Sequence, residues 1–213
     1  MANGKIPPKF SRSRPSQGRT PVKLILAVEG KTERAYLKWI AAEAGLKSYE
    51  IQTKISGVPR TCADEAKAAK KDAKREGVDE ILAAAVCDCD EHPKIGEARD
   101  VCTGNELFLA FSNPCCELWF LLHFRDQTAF IDRHAAKSEL EKECPTYDKG
   151  DDLSPTLIDR LRTSFDEARK RAERLRQRHR DNGSAETENP STNLDELVVR
   201  IRQLAAKATG GAG

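Results

Sequence analysis

Apolar residues fall into short runs that alternate with segments of helical period. Val22-Lys-Leu-Ile-Leu-Ala-Val28 is one such run and stops at Glu29-Gly30, the pattern of a parallel strand covered on both faces. Beyond it, Ala35, Tyr36, Trp39, Ile40 and Ala44 recur with a period of about 3.6, which predicts a helix with Thr32 as N-cap and Gly45 as its stop. Residues 49–55 read as a weaker second strand closed by Ser56-Gly57 and Val58-Pro59. Residues 61–76, rich in Ala, Lys and Glu and ended by Gly77, predict a second helix. Residues 80–87 then run apolar into Asp88-Cys89-Asp90, a third buried strand that also ends in acids. A short helix over 94–102, a fourth strand over 107–111 broken by Ser112-Asn113-Pro114, and a buried helix over 115–124 complete the pattern.

Alternating strands and helices predict an α/β fold: a three-layer Rossmann-like domain around a central, mainly parallel four-stranded sheet with right-handed crossovers. Ligand sites in such sheets lie beyond the carboxyl ends of the strands. After Asp126 the segments become polar and helical, over 128–144, 154–180 and 194–207, with a polar loop over 181–193. The expected organisation is a basic arm over 1–20, a core over 21–126, a C-terminal helical lobe over 127–207 packed on it, and a Gly-rich tail over 208–213.

Composition adds little until its distribution is considered. The 213 residues are 38% apolar, enough for one full core, and charged residues nearly cancel to +2. The first twenty residues hold Lys5, Lys9, Arg12, Arg14 and Arg19 and no acid. With their Pro, Ser and Gly they cannot bury a core and read as a flexible basic arm. No apolar run approaches the roughly 18–20 residues of a membrane span and no signal pattern opens the chain, so a cytoplasmic protein without a membrane partner is expected. Seven cysteines, mostly in apolar or strand-like stretches, read as reduced core thiols, and their spacing is not that of a zinc finger.

The chemistry concentrates where strands end. Asp88 and Asp90, two positions apart on an extended segment, leave on one face and can share a hard cation. If the first and third strands are neighbours, Glu29 joins them, and three carboxylates that close repel unless a divalent ion neutralises them. Glu29-Gly30 after one strand and Asp88-x-Asp90 after the third, with a strand-helix unit between, resembles the Toprim arrangement of primases, topoisomerases and related nucleases. Glu29-Gly-Lys-Thr-Glu33, Asp88-Cys-Asp-Glu-His92-Pro93, the run from Ser112 through Glu117-Leu-Trp119 to His123-Phe124, Tyr147-Asp-Lys-Gly150 and Asn189-Pro-Ser-Thr-Asn193 together resemble the RloB-like family over most of residues 22–205. That resemblance implies a Toprim-related fold, Mg²⁺- or Mn²⁺-dependent nuclease activity on DNA or RNA, and work with a separately encoded ATPase of AAA or ABC type in abortive-infection-like defence against phage. Cys89 stands where that family commonly has Arg, which weakens phosphate attraction beside a metal, and Cys116 where an aromatic is usual.

Glu29, Asp88, Asp90 and His92 are therefore the candidate catalytic residues, and Glu29, Glu33, Asp88 and Asp90 the candidate metal ligands, with water as nucleophile. Glu33 reads equally as a capping acid of its own helix, and His92 as a local loop cap. Lys31, Asn113 and Glu117 are candidates for phosphate or substrate contact; their plainer readings are a solvated lysine, a turn residue and a buried charge balanced by Arg or His123. Nine Arg or Lys residues against three acids over 160–180 predict a basic helix, with Arg169, Arg174 and Arg176 as phosphate contacts or as part of a solvated face. Glu29-Gly-Lys-Thr lacks the leading glycine and spacing of a phosphate loop, so the chain is not expected to hydrolyse ATP by itself. A non-catalytic module that senses and signals to the ATPase is the rival expectation, and self-association stays open.

Overall fold

The computed structural model describes residues 21–53, 58–89, 95–148, 150 and 152–210. Strands β1 (Val22–Val28), β2 (Tyr49–Thr53), β3 (Glu80–Asp88), β4 (Phe108–Asn113) and β5 (Ser191–Thr192) form one sheet in the order β2-β1-β3-β4-β5. The first four are parallel and β5 is antiparallel to β4, so the expected parallel sheet gains a short fifth strand from the C-terminal region. Helices α1 (Lys31–Glu43), α2 (Pro59–Arg75), α3 (Ile95–Gly104), α4 (Cys116–Leu121), α5 (Arg133–Glu143), α6 (Pro155–Thr163), α7 (Phe165–Asp181) and α8 (Leu194–Ala208) complete the described residues.

Alternation within each strand divides the core between two layers. Leu24, Leu26 and Val28 of β1, with Ala84 and Val86 of β3, join the cluster built with α1, α4 and α8. Ile25 and Ala27, with Ala83, Ala85 and Cys87, face α2 and α3. Burial on both sides is why these strands read as unbroken apolar runs. All seven cysteines are buried and unbridged, which matches the thiols expected from their placement.

Several boundaries move for local reasons. Gly30, not Thr32, is the N-cap of α1; Thr32 lies buried inside the helix, while Gly45 takes φ +76 at the stop, a conformation glycine adopts without strain. α2 begins at Pro59, whose fixed φ and missing N–H suit a first helical position. Gly104 lies inside α3, and the left-handed position after it is taken by Glu106 at φ +53. The helix read over 154–180 is two helices that change direction at Ser164, whose hydroxyl bonds back to Arg160 O at 2.6 Å.

The helices after residue 126 contribute to the main core. Leu140, Leu157, Leu161, Phe165, Ala172, Leu197 and Ile201 share one cluster with β1 and α1, and α8 lies on the sheet against β1, β3 and β4. At its centre Trp119 is fully buried, its indole N–H donating to Tyr36 Oη at 2.8 Å and its ring edge-on to His123.

Candidate functional site

The strand order reverses between β1 and β3: β2 lies to one side of β1, and β3 and β4 to the other. Helices leave such a point toward opposite faces and open a crevice beyond the carboxyl ends. Val28 pairs with Val86, and the Glu29 N–H continues the ladder by donating to Val86 O at 3.3 Å. Glu29 and Asp88 therefore stand at adjacent strand ends, the condition their joint action requires.

Four carboxyl groups lie within electrostatic reach of one another there. Burial raises the pKa of Asp88 well above the ordinary range, and the charges of Glu33, Glu117 and Glu29 push it further. Glu33, 5% exposed, is also raised, by burial first, against the hydrogen bond its carboxylate accepts from its own backbone N–H. Asp88 and Glu33 share a hydrogen bond that raises the former and lowers the latter. Gly30 makes this approach possible, since a Cβ there would stand 2.4 Å from Glu33 Oε2.

The rest of the site comes from distant segments. Asp88 Oδ1 accepts from the Cys116 N–H at 3.0 Å, at the start of α4, and Oδ2 accepts from Arg133 Nη2 at 3.4 Å, at the start of α5. Glu117 is 1% exposed and accepts from Tyr147 Oη at 2.9 Å. Its partner is thus a phenol, while the expected alternative, His123, lies instead against Ser164 Oγ at 3.1 Å. Burial, then the charge of Glu117, pushes the Tyr147 phenol upward, and the phenol also bonds the Thr32 side chain.

Other expected residues have different surroundings. Lys31 is exposed at the first position of α1. Asn113 uses both ends of its amide on the nearby loop, donating to Thr187 O at 2.7 Å and accepting from Asn189 Nδ2 at 3.2 Å. Arg176, expected on a phosphate-tracking surface, is instead buried at 1% exposure: its guanidinium bonds both oxygens of Asp195, at 2.7 and 3.0 Å, and also Thr192 O and Glu173. An apolar stretch of α7 faces the core at that turn and carries the arginine inward with it. Arg174 is 60% exposed and paired with Asp126, and Arg169 is exposed beside a cavity of about 460 Å³ between α7 and α8. Asp90, Glu91 and His92 lie outside the described residues, as does the arm over 1–20.

Arg133 and Tyr147 complete the acidic centre, and sequence reasoning assigned neither to it. Arg133 is one cation in a strongly charged helix; the one hint is its place in the first turn, where the helix dipole disfavours a positive charge and only an outside acid compensates. As donors for a hard divalent ion, the carboxylates are of the right chemistry. Among the described residues, however, no three His, Cys, Asp or Glu side chains are grouped to hold a metal ion; Asp88 is held instead by the Cys116 N–H and by Arg133.

No described helix is long and apolar enough to cross a membrane. No curated protein and no solved structure matches the chain. The family model described as RloB-like protein matches residues 24–201, a span that includes Glu29, Glu33, Asp88, Glu117, Arg133 and Tyr147. With most of its length accounted for in this way, the chain belongs to the RloB-like protein family.

Proposed function

We propose that this chain is a Toprim-type, Mg²⁺- or Mn²⁺-dependent nuclease, the effector of an abortive-infection-like anti-phage system that acts with a separately encoded ATPase. The observation that carries the nuclease reading is the convergence of Glu29, Glu33, Asp88 and Glu117 at the point where the order of a parallel sheet reverses. Family membership supports the defence role and the ATPase partner. Glu29, Glu33, Asp88 and Asp90, two positions after Asp88 in the sequence, would hold the divalent ion, which would supply charge stabilisation at a phosphodiester and a more acidic water. The Cys116 N–H would keep Asp88 Oδ1 in its present orientation. Arg133, at Oδ2, would be placed to meet a phosphate oxygen beside the ion. Tyr147 fixes the buried Glu117.

The test is cleavage of single- and double-stranded DNA and RNA by purified protein with Mg²⁺ or Mn²⁺. Asp88→Asn and Glu29→Gln should each lower the rate at least about 100-fold. Undiminished cutting by both variants removes the mechanism.

A non-catalytic sensor that signals to the ATPase is favoured by one observation: Asp88 is already engaged by Cys116, Arg133 and Glu33. Titration calorimetry separates the two readings. A nuclease binds Mg²⁺ or Mn²⁺ and loses that binding in Asp88→Asn, whereas the sensor takes up no divalent ion.

A further inference from the structure

Phe130 is 75% exposed, more than any other large apolar side chain among the described residues. A phenyl ring gains free energy on leaving water, so a pliable loop would fold it inward. The loop that carries it is fastened on both sides. Three arginines spaced along one face of α7 grip its first half: Arg171 donates to Leu122 O, Arg174 to Asp126 Oδ1 and Arg178 to Thr128 O, each at 2.7 Å. On the other side, Asn189 bonds both the N–H and the C=O of Ile131, at 3.0 and 2.8 Å, and the Asp132 carboxylate caps α5 at the Ala135 N–H. The backbone on either side of Phe130 is thus set, and its ring stands outward.

Its position is tied to the acidic centre twice. Asn189 also donates to Asn113 at the end of β4, the strand beside Asp88. Three residues after Phe130, Arg133 reaches Asp88 itself, and three residues span at most about 10 Å of backbone. Beside the ring is a cavity of about 170 Å³ lined in part by Leu175, Arg178, His179 and Pro190. That volume is below the range of pockets that enclose a whole small molecule, and suits one flat group at a time. An outward aromatic face, the Arg178 guanidinium at the same cavity, and Arg133 leading to the proposed cleaving centre three residues on match an unpaired base and its backbone. In a duplex, base faces are stacked inside and cannot reach such a ring.

We infer that Phe130 is a stacking platform for an unpaired base, on which a single strand of nucleic acid is laid past Arg178 and Arg133 into the acidic centre. This rests on the proposed nuclease reading and names its substrate class. The experiment is fluorescence anisotropy of the full chain in EDTA with labelled oligothymidylate, oligouridylate and a blunt DNA duplex, so that metal and cleavage play no part. Phe130→Ala should bind the single strands roughly 5- to 150-fold more weakly, the loss of one stacked base. Phe130→Trp should restore binding, and the duplex should bind all three proteins alike; the tighter of the two single strands identifies the sugar. Equal single-strand binding by wild type and Phe130→Ala overturns the inference alone, and leaves the ring to a protein partner. Absence of single-strand binding by the wild type in EDTA also overturns the inference, while the nuclease reading falls only if Mg²⁺- or Mn²⁺-dependent cutting is absent as well.

Discussion

The surroundings of Asp88 disfavour its charged form, and stability should reveal it. Its folded pKa is raised from an ordinary value of 3.8, by burial and then by Glu33, Glu117 and Glu29. The native state therefore holds a proton that the unfolded chain releases, and this contribution is full below about pH 4 and is lost as pH rises through the raised value. In metal-free buffer, Asp88→Asn should flatten the decline above about pH 4 and unfold at higher temperature than wild type, by roughly 2–4 °C for each kcal/mol of relieved repulsion. Mg²⁺ should reverse the order, because only the wild type gains a ligand; thermal melts with EDTA and with Mg²⁺ check both halves. His123 works from the other side. Burial, then the charges of Arg160 and Arg171, lowers its imidazole from 6.5 to about 3, so the unfolded chain takes up a proton that the native state refuses. Stability falls as pH drops from about 6.5 toward 3, and His123→Gln should reduce that acid-side slope in chemical denaturation. Gly30→Ala has its own signature: the added methyl displaces the Glu33 carboxylate, and calorimetry should show weaker Mg²⁺ binding at little change in melting temperature.

At the level of elements, α7 shows how much a charge count leaves open. Its arginines read as a surface for phosphate, yet Arg171, Arg174 and Arg178 tie down the preceding loop, and Arg176 joins α7 to β5 and α8 through Thr192 and Asp195. Charge count is a property of the sequence, whereas the partner of each charge depends on which helix lies opposite. Arg176→Ala leaves Asp195 buried at 1% exposure without its cation, and urea denaturation should show a loss of about 3–5 kcal/mol. The change of direction at Ser164 escaped the periodicity for a similar reason. Apolar spacing continues from α6 into α7, and the bend follows from side-chain bonds of Ser164 to Arg160 and His123, the second a long-range contact. Strands β1, β3 and β4 were legible because burial on both faces leaves an apolar run, while the two residues of β5 are too short to leave any pattern.

The molecule as a whole should unfold in one step. A single apolar cluster links β1, α1 and α4 to α5, α6, α7 and α8, so the region read as an appended helical lobe shares the core of the sheet. Far-ultraviolet circular dichroism and the fluorescence of Trp39 and Trp119 should trace coincident denaturant transitions; two separated midpoints would mean two independent units. The sequence by itself determined the alternation of strands and helices, the parallel sheet and the ends where acids gather, because periodicity and burial leave their mark on neighbouring residues. It also placed Glu29 and Asp88 at strand ends. Only the tertiary structure decided that β1 and β3 are adjacent, that Glu33 and Glu117 turn inward, and that Arg133 and Tyr147 close the acidic centre from segments 45 and 30 positions away from Asp88 and Glu117. Those facts depend on contacts between residues far apart in the chain, for which local pattern carries no signal.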